Sequence, residues 1–330
     1  MMGFTLLDVF KREYRGRTED YYRRAIENGL ITINNQLSSP DTIVKRQDLI
    51  SHQVHRHEPP VTDQSIDIVY EDDGLFVVNK PGSIPVHPSG RYRHNTVVHI
   101  LRKELGYDRL FPTHRLDRIT SGLNLIAKNS KRADKIDKEM RAGDIQKEYV
   151  CRVSGEFPLH KVTCDAPIKQ LAHLVALNYV HPEGKSAITH FERISYNGQT
   201  SVVRCRPFTG RTHQIRVHLR HLGFPIANDP IYGYSTLWTD QFHDTQSIIE
   251  TMIATAPYDY MDDDPLNKTG FPRCGECNVP VTPNDPSEDQ LALWLHAYRY
   301  AGKDWSYQAP WPTWADEGFQ HDECIMPASF

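Results

Sequence analysis

Two dipeptides constrain this chain most: Asp73-Gly74 and Asn197-Gly198, each set between apolar runs of strand length. Asp-Gly and Asn-Gly accept the positive φ angles of tight hairpin turns, so each folds its flanking strands back antiparallel. Residues 66–70 thereby pair with 75–79, and residues 191–196 with 200–205. Residues 148–153 form a further strand and 131–140 a charged helix, while a helical pattern over 20–30 stops at Gly29 before a short strand at 31–34. Strands that come mostly as antiparallel pairs, with helices between them, give an α+β fold with a mixed, mostly antiparallel sheet.

At 330 residues the chain can bury a large core. Residues 1–60 read as a small module with a basic side (Arg15, Arg17, Arg23, Arg24), and His55-Arg56-His57-Glu58-Pro59-Pro60 as a linker, because paired prolines stop helix and sheet alike. Residues 61–330 then form the main domain, interrupted at 234–290 by an acidic, proline-rich insertion with one short helical pattern near 248–256. The apolar stretch 291–297 rejoins the core. No apolar run approaches a membrane span, and an early Asp8 interrupts any signal-peptide core, so the protein reads as intracellular. Structured-looking sequence begins almost at Met1, which leaves a shortened form open. Six cysteines in such a chain read as thiols.

The net charge of -4 hides a strong asymmetry. From Arg204 to His221 stand five arginines and no acid, and from Asp240 to Pro265 seven acids and no Lys or Arg. One face can therefore bind a polyanion although the whole chain is slightly acidic.

Three segments carry candidate chemistry. In His114-Arg115-Leu116-Asp117-Arg118-Ile119-Thr120-Ser121-Gly122-Leu123 a carboxylate sits between two arginines that favour its ionised form, and the small residues after it are read as a turn bringing N–H groups close by. Residues 210–223 read as a helix with Ile215, Leu219 and Leu222 on one face and His213, Arg216 and Arg220 on another, two guanidiniums facing an anion. Cys274-Gly275-Glu276-Cys277 is a single Cys-x-x-Cys; zinc there needs two more ligands, for which His296 and Cys324 are available, and no metal is assigned. Neither a phosphate-binding loop nor a dinucleotide fingerprint is present, so no cofactor is implied.

Taken together, these segments resemble the RluA family of RNA pseudouridine synthases. The likeness runs through Asn79-Lys80-Pro81-Gly82 and Val86-His87-Pro88, residues 114–123, Lys147-Glu148-Tyr149, residues 210–219 and Leu295-His296-Ala297. It implies the pseudouridine-synthase fold with a central RNA-binding cleft and a small αL-type RNA-binding module at the N-terminus. It places the family's catalytic aspartate on Asp117, its active-site tyrosine on Tyr149 and the arginine partner of the aspartate on Arg216. Arg115 matches the motif arginine linked to base flipping, and Leu219 the apolar residue beneath the site. Lys80, His87, Arg211, His213 and Arg220 complete the expected substrate contacts.

The implied reaction breaks C1′–N1 of uridine, turns the base and joins C1′ to C5, so it needs no cofactor. One carboxylate suffices where a glycosidase uses two, because water is excluded. Asp117 either attacks C1′ or removes the C2′ proton. The resemblance to the eukaryotic branch points to tRNA, position 32 of the anticodon loop among its targets, with messenger RNA as the alternative. It also suggests a monomer in the cytoplasm, with nucleus and mitochondrion left open. A non-catalytic RNA-binding protein on the same fold is the rival reading. A hydrolase or metalloprotein built on His213, His218 and His221 lacks the ligand spacing.

Overall fold

The structure, a computed structural model, describes residues 3–14, 18–55, 57–90, 92–172, 177–233, 274–275 and 291–319. They fall into two units. The first takes in Met1–His57 and, from the segment Asp263–Asp285, Cys274 and Gly275. The second spans Glu58–Asp262 and Pro286–Phe330.

In the first unit, helix α1 (Leu6–Glu13) starts where the Thr5 hydroxyl accepts from Asp8 N at 3.1 Å, and α2 (Glu19–Glu27) where Thr18 does the same for Tyr21 N. The chain then forms β1 (Ile31–Ile33), β2 (Gln36–Leu37) and β3 (Ile50–His52), in the order β2-β1-β3. Asn34 and Asn35, at φ 52° and 59°, make the two-residue turn between β1 and β2, a conformation asparagine tolerates better than most side chains. Leu6, Phe10, Tyr22, Ile26 and Ile31 close one small core.

The second unit contains β4 (Asp67–Glu71), β5 (Leu75–Lys80), α3 (Val97–Leu105), β6 (Phe111–Pro112), β7 (Ser121–Ala127), α4 (Ser130–Ala142), β8 (Gln146–Ser154), β9 (Val162–Asp165), β10 (Ile168–Ala172), β11 (Leu177–Val180), β12 (Ile188–Tyr196), β13 (Thr200–Pro207), α5 (Gln214–His221), β14 (Leu295–Ala301) and β15 (Ser306–Gln308). One large sheet runs β4-β5-β7-β14-β8-β13-β12-β9, with β6 on β7 and β15 on β14; β10 and β11 pair separately. Only β7 with β14 is parallel among its pairings. The fold is the α+β architecture with a mixed, mostly antiparallel sheet, and both expected hairpins, β4–β5 and β12–β13, are in place.

The last long strand lies in the middle of the sheet. Inserting β14 between β7 and β8 brings the chain after residue 290 into the core, where Leu293, Leu295 and Ala297 are buried. A Cβ on Gly122 would overlap the Ala297 backbone, and Gly122 sits at φ 107°. That glycine therefore permits the close approach of β7 and β14 and is not part of a turn. Arg152 of β8, 1% exposed, ties in the C-terminal segment by donating to Trp314 O, Asp316 O and the Thr200 hydroxyl.

Among the described residues Cys151, Cys164 and Cys205 are free thiols. No described helix is long and apolar enough to cross a membrane. The helical pattern near 248–256, with Arg15, Arg17, Cys277 and Cys324, lies outside the described residues.

Candidate active site

Four neighbouring strands, β7-β14-β8-β13, gather the segments that the sequence had singled out around one cavity of about 360 Å³. Its walls come from the loop before β7, from Lys147 and Tyr149 on β8, and from the loop that enters α5. Asp117, Arg115, Tyr149, Arg211, His213 and Arg216 all line it.

Asp117 is held by its neighbours in sequence. Leu116 and Ile119 are buried on either side, which leaves the carboxylate to face the cavity. The turn closes earlier than its small residues suggest: Thr120 N donates to Asp117 O at 3.1 Å, and Ser121 and Gly122 already belong to β7. Beneath the turn, the buried Lys80 ammonium donates to Pro81 O, Ile84 O and Arg118 O at 2.9, 2.9 and 3.0 Å. The expected substrate contact of Lys80 is thus replaced by a bracing role, since its three N–H donors are used on carbonyls. Burial lowers its pKa to about 7.

The two arginines beside Asp117 part company. Arg115 is exposed and lines the cavity, whereas Arg118 turns to Ser83 O, 3.5 Å away, and to the Tyr92 ring. The second guanidinium at the carboxylate comes instead from α5. Arg216 Nη1 lies 3.6 Å from Asp117 Oδ2, and His213 Nε2 lies 3.7 Å from the same oxygen. Burial works against ionisation of Asp117, but the surrounding positive groups of His213, Arg216, Arg115 and Lys80 outweigh it and hold the carboxyl below its usual range. His213 is itself pushed down to about 4 by burial and is neutral near pH 7, which leaves the arginines as the main field.

The bidentate fork of Arg216 is made to a second carboxylate and not to Asp117. Arg216 Nε and Nη2 donate to Asp229 Oδ2 and Oδ1 at 2.7 and 2.8 Å, and both residues are buried. Asp229 also accepts from Ile231 N and Tyr232 N, and despite its burial these partners, Arg216 foremost, keep its pKa low. The face of α5 read as presenting two guanidiniums to an anion is therefore mostly interior: Arg216 is 1% exposed, and half-buried Arg220 stands outside the cavity wall. His218 is a satisfied core histidine, bonded to the Thr189 hydroxyl and Ala166 O.

His213 precedes α5 at φ 56°, a left-handed conformation. The loop before it is locked by buried Gln214, whose Oε1 accepts from Arg211 N and the Thr209 hydroxyl while Nε2 donates to Ile188 O and Thr189 Oγ1. The Tyr232 hydroxyl accepts from Asn178 N and lies 3.0 Å from His213 Nδ1. When that hydroxyl gives its own proton to Nδ1, the imidazole proton sits on Nε2, facing Asp117.

Tyr149 points its hydroxyl at that of Tyr300 on β14, 2.8 Å away. Burial raises the Tyr149 pKa to about 12, so the phenol is neutral under ordinary conditions. Leu219 is fully buried with Ile215 and Ile119, below the cavity floor. His87 stands off the cavity wall, its pKa lowered by burial and by the charge of Arg115.

Sequence reasoning missed Asp229, Tyr232, Tyr300 and Lys147. A signal for Asp229 was present: it is the sole acid between Arg204 and Thr239, and it precedes a proline. The tyrosines carried none, because their partners lie far along the chain.

Comparison with known proteins agrees with this geometry. A family model described as RNA pseudouridylate synthase matches residues 74–221. The tRNA pseudouridine(32) synthase, mitochondrial, of Saccharomyces cerevisiae is 42% identical over 94% of this chain and 72% of its own length. Human pseudouridylate synthase RPUSD2 is 38% identical over 97% of this chain and 71% of its own. Among solved structures, human RNA Pseudouridylate Synthase Domain Containing 1 aligns over 77% of this chain and 86% of its own with a TM-score of 0.52 at 21% identity, a likeness of fold. The chain belongs to the RluA family of RNA pseudouridine synthases.

Proposed function

We propose that this RNA pseudouridine synthase modifies the anticodon loop of tRNA, at position 32, with Asp117 acting at the ribose of a flipped-out uridine. The observation that carries the reading is a single ionised carboxylate, 3.6 Å from Arg216 and set in a cavity bounded by Tyr149 and Arg115. The choice of tRNA and of position rests on the similarity to the yeast enzyme of that name.

The uridine leaves its stack and enters the cavity, at a cost of a few kcal/mol that contacts to the flipped base and backbone offset. Exposed Arg115 and Arg211 meet phosphate or fill the vacated stack. Asp117 then acts at the ribose, either by attack at C1′ or by removal of the C2′ proton; both routes need the carboxylate ionised. Arg216, immobilised by Asp229, keeps it ionised and aimed. The freed uracil turns against the ring of Tyr149. After C1′–C5 forms, the neutral Tyr149 hydroxyl takes the C5 proton while passing its own on to the Tyr300 hydroxyl and solvent, and N1 takes up a proton from solvent. The product is an isomer of the substrate, so no cofactor enters. A pure RNA-binding role is the weaker reading, because a carboxylate facing the cavity repels phosphate and adds nothing to binding.

The N-terminal unit, with exposed Arg23 and Arg24, serves as an additional RNA contact to the catalytic unit, and the protein acts as an intracellular monomer. Mapping of pseudouridine in total RNA from cells with and without the protein tests the substrate. Loss at tRNA position 32 is expected. Unchanged tRNA with sites lost from messenger RNA would overturn it.

A further inference from the structure

The Cys-x-x-Cys motif finds neither of the partners the sequence offered it. His296 is buried in the catalytic unit, where it bonds to the Ser121 hydroxyl at 2.9 Å, and Cys324 lies outside the described residues. Cys274 instead belongs to the N-terminal unit, with two histidines first read as linker. His55 Nε2 and His57 Nε2 are 3.1 Å apart, and Cys274 Sγ is 3.6 Å from His55 Nε2. All three donor atoms lie within 4.8 Å of one another.

These separations are those of ligands on one ion. Tetrahedral Zn²⁺, with bonds of about 2.0–2.1 Å to nitrogen and about 2.3 Å to sulfur, has N–N edges of about 3.3 Å and N–S edges of about 3.5 Å. Two Nε2 atoms at 3.1 Å can also share a single proton, but that pairing gives no reason for a sulfur to join them. The sulfur comes from 219 residues away in sequence, so local chain geometry does not bring it there. Imidazole and thiolate together form the donor set zinc prefers over the hard cations.

We propose that His55, His57 and Cys274 together bind a zinc ion. Two imidazoles and one thiolate supply three of the four positions of a tetrahedral zinc. Binding releases the Cys274 thiol proton to solvent and involves no redox change. The ion ties the end of a unit built on one small core to a segment of the acidic insertion. Units of that size gain the most from such a staple.

The test is metal analysis of the full chain, purified without chelator from zinc-supplemented medium. About one zinc per chain is expected, falling to roughly a tenth or less in His55→Ala and in Cys274→Ser. A second measurement needs no variant. Cys274 should resist alkylation by iodoacetamide, become labelled after EDTA treatment, and be protected again by added zinc chloride, read by peptide mass spectrometry. A zinc-free wild type that takes up no added zinc would overturn the site. So would zinc retained by both variants, or labelling that ignores EDTA and zinc.

Discussion

Arg216 spends its two-point fork on Asp229, at 2.7 and 2.8 Å, and reaches Asp117 only with Nη1 at 3.6 Å. One arginine thus joins a carboxylate that never meets substrate to one that faces the cavity. Two consequences can be measured. Asp229→Asn takes the bidentate carboxylate from the buried Arg216 charge and leaves it the more distant Asp117, which costs about 3–5 kcal/mol. A urea-unfolding loss of that size is expected, together with slower turnover, and a loss under about 1 kcal/mol would mean the pair is dispensable. Arg216→Lys cannot reproduce the fork and the third contact together, so turnover should fall about 100-fold or more. Full activity in the lysine variant would refute the positioning role.

Acid sensitivity follows from the buried histidines. Burial pushes His213 down to about 4, His114 to about 3 and His296 to about 4. In the unfolded chain each takes up a proton near pH 6.5, so below that value the unfolded state binds more protons and stability falls as pH falls. The loss at pH 5 is at most about 2 kcal/mol per histidine. Asp117 and Asp229 add to the trend at lower pH. Their folded pKa values are depressed, so their stabilisation is complete above about pH 4 and is lost as pH drops through the lowered values. The urea midpoint should therefore fall between pH 7.5 and pH 5. A flat midpoint over that range would contradict the burial of neutral imidazoles.

Tyr149→Phe separates stacking from proton movement. The ring face stays while the hydroxyl that meets Tyr300 is lost. RNA affinity should hold within about threefold and turnover should drop about 100-fold, the lower range for general acid–base assistance. Because the phenol's pKa is raised to about 12 by burial, wild-type turnover should show no alkaline limb from Tyr149 up to about pH 10. Equal turnover in the phenylalanine variant would leave Tyr149 a stacking platform only.

Much of this molecule was legible before its structure, for identifiable reasons. Asp73-Gly74 and Asn197-Gly198 specify hairpins locally, and both hairpins formed. The segments bearing Asp117, Tyr149 and Arg216 could be recognised by motif, yet their mutual geometry could not. The placement of β14 between β7 and β8 depends on a strand that follows the insertion, and no local signal reports such a pairing. The same limit hid Tyr300 behind Tyr149, and His55 and His57 behind Cys274. Helical periodicity also misled at α5: it separated an apolar face from a polar one correctly, but buried Asp229 drew Arg216 of the polar face into the interior. Lys80 escaped in the same way, since nothing in Asn79-Lys80-Pro81-Gly82 announces three carbonyls converging on the ammonium.

The central claim is that Asp117 performs the chemistry and does not merely help hold RNA. Single-turnover pseudouridine formation on an anticodon stem-loop transcript, measured for wild type and Asp117→Asn beside RNA affinity for both, tests it most directly. The expected result is loss of turnover by about 1,000-fold or more with the Kd changed by no more than about threefold. Turnover retained within about tenfold, or loss of RNA binding in step with activity, would contradict it.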